Sequence, residues 1–438
     1  MLQFSLSTIL AIYSAFSRTS YLAAVPVSSL IGGSPCQETM ISAEAPDDSP
    51  CAFVPAPSPE CSEGFFDVTE FGAIGDAVTD NSMVFIETWD AACSYEGDSI
   101  FYVPEGTFLV GSITLSGPCY NNQSPEVNIK GQLVAPTSLD AFPDSNWIQF
   151  KHLRGIVIYG EAGLTELDAR GGVEAWKDPS CHKSATCEKM VTSLKLDNVS
   201  YGIISNVTLL NGKGFHVGIH ESENINIQNI TVTAPWNSPN TDGIHITLST
   251  NVSITSSTIG VGDDCVSMGP GSVNISIFDI KCGPGHGISV GSLGKSENEE
   301  SVVGVNVSNC TINGTTNGVR VKTWPGSPVG SASNITFQNI VMTNVSNPII
   351  IDQKYCPSNS CDISKPSLVK LSNIVMQNIS GTYNNDFAVT LLCSSKAPCE
   401  NIWLLDVKLN YTKTSAPRQG PFIVEGVIDG LEIIGSTF

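Results

Sequence analysis

Charge is scarce in this chain. Only 14% of its 438 residues are Asp, Glu, Lys or Arg, while 41% are apolar. That balance excludes disorder, a long charged helix and a coiled coil. Basic residues are scarcer still, with 21 Lys+Arg against 42 Asp+Glu. The resulting net charge of −21 argues against nucleic acid as a partner. No Cys-x-x-Cys pair occurs among the 14 cysteines, so zinc-type spacing is missing. No apolar run of about 20 residues follows the first few dozen positions, so nothing later in the chain reads as a membrane-spanning helix.

What the chain has in quantity is turn chemistry. Its 39 Gly and abundant Asn, Ser and Thr punctuate short β-branched runs from Phe101 onward, the pattern of many short strands. The cysteines are even in number, and the close pairs 181/187, 356/361 and 393/399 sit among polar residues. Short disulfide-closed loops in an oxidising compartment explain them better than buried thiols do. An apolar stretch at 6–16 has the length of a signal core, and Asn-x-Ser/Thr sequons recur from Asn122 to Asn410. The expectation is a secreted glycoprotein acting outside the cell.

Three segments follow from composition. Residues 1–33 read as a signal peptide, 34–62 as a Pro/Ser-rich arm, and 63–438 as one regularly folded domain. Near its start, Thr79-Asp80-Asn81 precede Met83, Val84, Ile86 and Trp89, which reads as an N-capped amphipathic helix over 80–93.

Internal repetition is the informative signal. Gly218-Ile-His-Glu, Gly243-Ile-His-Ile, Cys265-Val-Ser-Met, Gly287-Ile-Ser-Val, Gly318-Val-Arg-Val and Pro348-Ile-Ile-Ile align, with starts 25, 22, 22, 31 and 30 residues apart. The second column is aliphatic throughout and the fourth nearly so; period-2 alternation puts both on one face and the third column on the other. A second run recurs between them, as in Ser205-Asn-Val-Thr-Leu and Gln228-Asn-Ile-Thr-Val. One winding per 22–31 residues predicts an all-β parallel solenoid. Propeller blades need roughly 40 residues. The helix over 80–93 would cap its N-terminal end.

Chemistry gathers in the column before each aligned strand: Val217, Asp242, Asp264, His286, Asn317, Asn347. Windings stack about 4.8 Å apart, so Asp242, Asp264 and His286 should form a ladder, with Asp263 adjoining and Arg320 and Lys322 one winding further. Turn preference accounts for each Asp alone; it does not account for like charges gathered in adjacent windings of a charge-poor chain. Crowded carboxylates cannot all ionise freely, so one keeps its proton to higher pH. An acid beside an ionised base is what glycosidic hydrolysis needs, and the two cations suit an anionic sugar.

Asn240-Thr241-Asp242, Gly262-Asp263-Asp264-Cys265, Gly285-His286-Gly287 and Arg320-Val321-Lys322, in this order, resemble the four signature motifs of glycoside hydrolase family 28, the polygalacturonases. Ile349-Ile-Ile-Asp-Gln-Lys-Tyr-Cys and Leu391-Leu-Cys-Ser-Ser-Lys-Ala-Pro-Cys resemble the plant exopolygalacturonases. The resemblance implies a right-handed parallel β-helix of the pectin-lyase-like kind and inverting hydrolysis of α-1,4-galacturonosidic bonds. It implies Asp263 as general acid, Asp242 with Asp264 activating water, and His286 supporting the acid. Asn240, Arg320, Lys322 and Tyr355 would bind substrate. The implied partner is pectic polysaccharide (polygalacturonate), with the chain acting as a monomer and without nucleic acid, membrane, metal or cofactor. Rung spacing alone puts the carboxylates about 5 Å apart, a distance associated with retention; the resemblance implies inversion, with water beside the stack.

Action from chain ends is favoured over internal cleavage. The rivals are an endo-acting polygalacturonase, a calcium-dependent pectate lyase and a non-catalytic wall-binding solenoid. His216, His220 and His245 could be read as a metal trio, but surface stacking on strands is the commoner reading. Lys354 could join the cationic patch. Of Trp236, Trp324 and Trp403, Trp324 is the candidate to stack on sugar rings.

Overall fold

The computed structural model describes residues 64–161, 163–172, 176, 190–357, 359–413 and 420–438. The signal peptide expected over 1–33, the arm over 34–62 and the cysteine pair 181/187 lie outside them. Short strands dominate, because each run of β-branched residues is too short and too evenly punctuated for a helix. Strand pairs join each winding to the next, in parallel and in register. The fold is a right-handed parallel β-helix.

One face of the cylinder carries everything that follows. Its ladder runs through Thr192–Ser200, Val217–His220, Ile244–Thr247, Val266–Met268, Ile288–Leu293, Asn317–Thr323 and Asn347–Asp352. Ile219, Ile246, Met268, Val290, Val321 and Ile351 point inward as one buried column. Each such side chain contributes roughly 1.5–3 kcal/mol on leaving water, and together they hold the register that stacks the outward side chains.

The register corrects the first aligned repeat. Gly218 pairs with His245 and Ile219 with Ile246, two residues on from the alignment read off the sequence. A slip of two keeps every side chain on its face, so hydrophobic patterning could not detect it. His220 therefore pairs with Thr247, not with His245. The other aligned repeats stand as read.

The second recurring run is also reshaped. Asn206 and Asn229 have φ of 56° and 53°, so Ser205–Leu209 and Gln228–Val232 are corners between two short strands. Asparagine tolerates this left-handed conformation where most residues do not, and stacked corners bond to each other. The Asn274 amide donates to Asn251 Oδ1, and Asn251 donates to Asn224. The Asn-rich composition is in large part this ladder.

The helix forms over Ser82–Cys93. Of the three polar residues before it, Asn81 makes no side-chain cap bond and instead ties Ile74, Thr79 and Leu109 together. Asp80 accepts from the Ser82 amide in its place. Phe85 and Trp89 pack on Phe101, Phe108 and Phe150, covering the first windings. Disulfides 356–361 and 393–399 form as expected, and 93–119 and 265–282 join them. Cys310 is a buried thiol.

Candidate active site

Asp242, Asp264 and His286 occupy one column in consecutive windings, because Ile244 pairs with Val266 and Val266 with Ile288. They lie just before the strands, where the chain leaves the sheet and backbone donors are still tied: the His286 amide donates to Asp263 O at 2.7 Å. An open cleft of about 370 Å³ lies over this end of the strands. Asn240, Asp242, Asp263, Asp264 and Lys322 line it, together with Phe215, His245, Ser267 and Lys295. His286, Arg320 and Tyr355 adjoin that lining, bonded or packed to its members.

Each carboxylate has its own partner set. Asp264 is almost wholly buried and accepts from Arg320 Nη2 and Lys322 Nζ, both at 2.9 Å, and from Ser289 Oγ at 2.7 Å. Arg320 Nε also donates to Ser289. The Tyr355 ring covers both cations, 5.0 Å from Lys322 Nζ and 5.7 Å from the Arg320 guanidinium. The two cations expected to face substrate thus neutralise Asp264 first.

Asp263 takes His286. Its Oδ1 lies 2.9 Å from His286 Nδ1 and also accepts from the Asp264 amide. Burial pushes Asp263 upward, but the His286 bond and charge, with Lys322 and Arg320, hold it well below the usual carboxylate range. Conversely, burial depresses His286 while Asp263 more than restores it, so the imidazole stays protonated above its ordinary value. Asn240 donates weakly to Asp263 at 3.5 Å.

Asp242 has the least compensation. It accepts from Ser267 Oγ at 2.6 Å, and Ser267 in turn contacts His245 Nδ1 at 2.7 Å. Burial, then the charges of Asp263 and Asp264, raise its pKa well above the ordinary value. This is the carboxyl that keeps its proton longest. His245 stays neutral, its pKa pushed down to about 4 by burial and Lys322.

Ser267 and Ser289 were missed as site residues, although both stand in the outward third column beside Arg320. Reading that column as donors to the neighbouring carboxylates would have found them. The histidine trio is not one: His216 is spent on the Gly212 amide and Asp242 carbonyl, His220 on Thr247. Asp263, Asp264 and His286 offer donor atoms within 4.8 Å of one another, a spacing that a cation could use only in competition with the ion pairs above. Lys354 pairs with Glu425 at 2.7 Å and does not join the patch. Trp324 packs edge-on against Tyr355; Trp236 is the exposed indole of the three, at 73%.

Residues 93–420 match the sequence family described as Glycosyl hydrolases family 28. The chain belongs to that family. An exopolygalacturonase of Platanus acerifolia is 41% identical over 82% of this chain and 93% of its own length. A polygalacturonase of Gossypium hirsutum is 41% identical over 80% and 84%. Among solved structures, the exopolygalacturonase of Thermotoga maritima superposes with a TM-score of 0.68 at 19% identity, covering 87% of this chain and 94% of that one. This last likeness bears on the fold alone. The carboxylate column just described lies within the family 28 match.

Proposed function

We propose that this family 28 glycoside hydrolase is a polygalacturonase whose chemistry is carried by Asp242, Asp263, Asp264 and His286. The carrying observation is one cluster: three carboxylates in two adjacent windings, one tied to an imidazolium, one to two cations, one left to hold a proton. Asp263, ionised at rest, relays to the leaving glycosidic oxygen the proton that His286 holds above its ordinary value, leaving a neutral imidazole that solvent reprotonates. Asp242, once ionised, takes the proton of the attacking water beside Asp264. Lys322 keeps a face toward the cleft and, with Arg320 and Tyr355 behind it and Asn240 beside Asp263, binds the galacturonate carboxylate. The substrate is pectic polysaccharide, attacked from chain ends with inversion; names of relatives such as the Platanus exopolygalacturonase support the end-acting reading. Secretion fits the four disulfides among the described residues, and the whole works as a monomer over residues 63–438.

Digestion of polygalacturonate with and without EDTA tests this reading. Saturated galacturonate products, released equally in chelator, are expected. Unsaturated ultraviolet-absorbing products, or activity lost in EDTA, would mean elimination at a calcium site. Binding without any cleavage would mean a wall-binding solenoid.

A further inference from the structure

We infer that Phe215 is the end wall of the cleft and sets the size of the released product. The inference rests on the polygalacturonase reading and adds the residue that makes the action terminal. The corrected register carries it. With Val217 opposite Ile244 and the His216 amide donating to Asp242 O at 2.9 Å, the residue beside Asp242 in the column is Phe215. The column therefore reads Phe215, Asp242, Asp264, His286, an aromatic ring one winding from the first carboxylate. That ring stacks on His245 with centroids 4.2 Å apart and planes 27° from parallel. Both rings line the cleft, with Met190 of the preceding winding beside them, so a galacturonate chain laid along the column meets a largely apolar barrier there.

The wall is braced. His216 is fully buried, accepts from the Gly212 amide at 3.0 Å and donates from Nδ1 to the Asp242 carbonyl at 3.1 Å. Lys213, also buried, donates to the carbonyls of Ala169 and Arg170. Residues on both sides of Phe215 are thus pinned, and substrate cannot push the ring aside at small cost. A ring edge that ends the cleft leaves room for a fixed number of sugar units beyond the scissile bond. A wall this near the carboxylates leaves room for one.

Timed digestion of a defined hexagalacturonate, with products sized at under a tenth of turnover, tests the idea. Wild type should release monomer with only a trace of longer product, and Phe215→Ala should raise the early dimer-plus-trimer to monomer ratio by roughly ten-fold or more, the scale on which one pocket contact discriminates. Phe215→Trp should keep monomer release. If Phe215→Ala does not fold, Phe215→Leu, which keeps packing volume against His245 but loses the ring, decides with the same readout. Monomer-only release by the folded truncation overturns the inference. A raised KM without a changed product ratio does the same, because it makes Phe215 a sugar platform. Mixed oligomers from wild type at the outset overturn it too. A wild type that cleaves nothing removes the polygalacturonase reading itself, a distinct outcome.

Discussion

At the scale of single residues, proton placement governs the predictions. Asp263→Asn removes the group that protonates the leaving oxygen, and kcat should fall about 10²–10⁴-fold with KM nearly unchanged, because general acid catalysis acts only in the transition state. Steady-state kinetics on polygalacturonate check this. The pH profile should be bell-shaped. Rate rises as Asp242 gives up its proton above the ordinary carboxylate range and falls as His286 loses its own above 6.5. In His286→Gln the alkaline limb should leave that region, since no imidazolium remains to titrate. Stability follows the same pair. Asp263 is depressed, so its contribution is present above 3.8 and lost as pH falls through its folded value. His286 is raised, so its contribution is complete below 6.5 and lost as pH climbs through its folded value. The Tm difference between wild type and His286→Gln should therefore be largest between those limits. Lys322→Ala leaves buried Asp264 with one cation in place of two. With Arg320 still in place the loss should be smaller than the roughly 3–5 kcal/mol of a wholly unpaired buried charge, and denaturant unfolding would measure it; an unchanged midpoint would contradict the pairing.

At the scale of elements, the turn that delivers His286 depends on a glycine. Gly287 has φ of +84°, and a Cβ there would lie 2.1 Å from Gly318 O and 2.3 Å from Asn317 O. Gly287→Ala should lower the unfolding midpoint and activity together, with a loss of more than about 1 kcal/mol. Such positions explain what was legible in the sequence and what was not. The aliphatic columns and the Asp242–Asp264–His286 ladder were readable, because inward and outward faces alternate strictly and windings of equal length repeat the same column. The offset at Gly218 was not, since a two-residue slip preserves every face and only backbone pairing reveals it. With it went Phe215, which the displaced alignment put outside the column. The roles of Arg320 and Lys322 were half readable: their charge was visible, but that Asp264 takes both of them follows only from side chains of three windings meeting in depth. Thr79, Asp80 and Asn81 are all capping types, and Asp80 performs that part while Asn81 is drawn into the corner at Ile74.

At the scale of the whole molecule, a polyanion must approach a chain of net charge −21. Long-range repulsion slows that encounter at low ionic strength and fades once the screening length falls to about 10 Å near 0.1 M salt. Between roughly 0.01 and 0.1 M salt, kcat/KM on the polymer should rise, whereas on a neutral carboxyl-reduced oligomer it should stay flat. Stopped digestion across a sodium chloride series measures both slopes; a polymer rate that only falls with salt would mean that local attraction already dominates.

Asp242 and Asp264 are 22 residues apart and so are Asp264 and His286, whereas His286 and Asn317 are separated by 31. The longer interval is absorbed by the excursion over 294–301, beyond the strand Ile288–Leu293, and by a one-residue register shift between Val290 and Leu293, while Ile288 and Val290 still pair with Val319 and Val321. Growth of such a molecule is therefore quantised: material can enter as a complete circuit or as an outlying bulge, while a single residue inserted into the sheet between 242 and 286 would pull the reacting groups out of alignment.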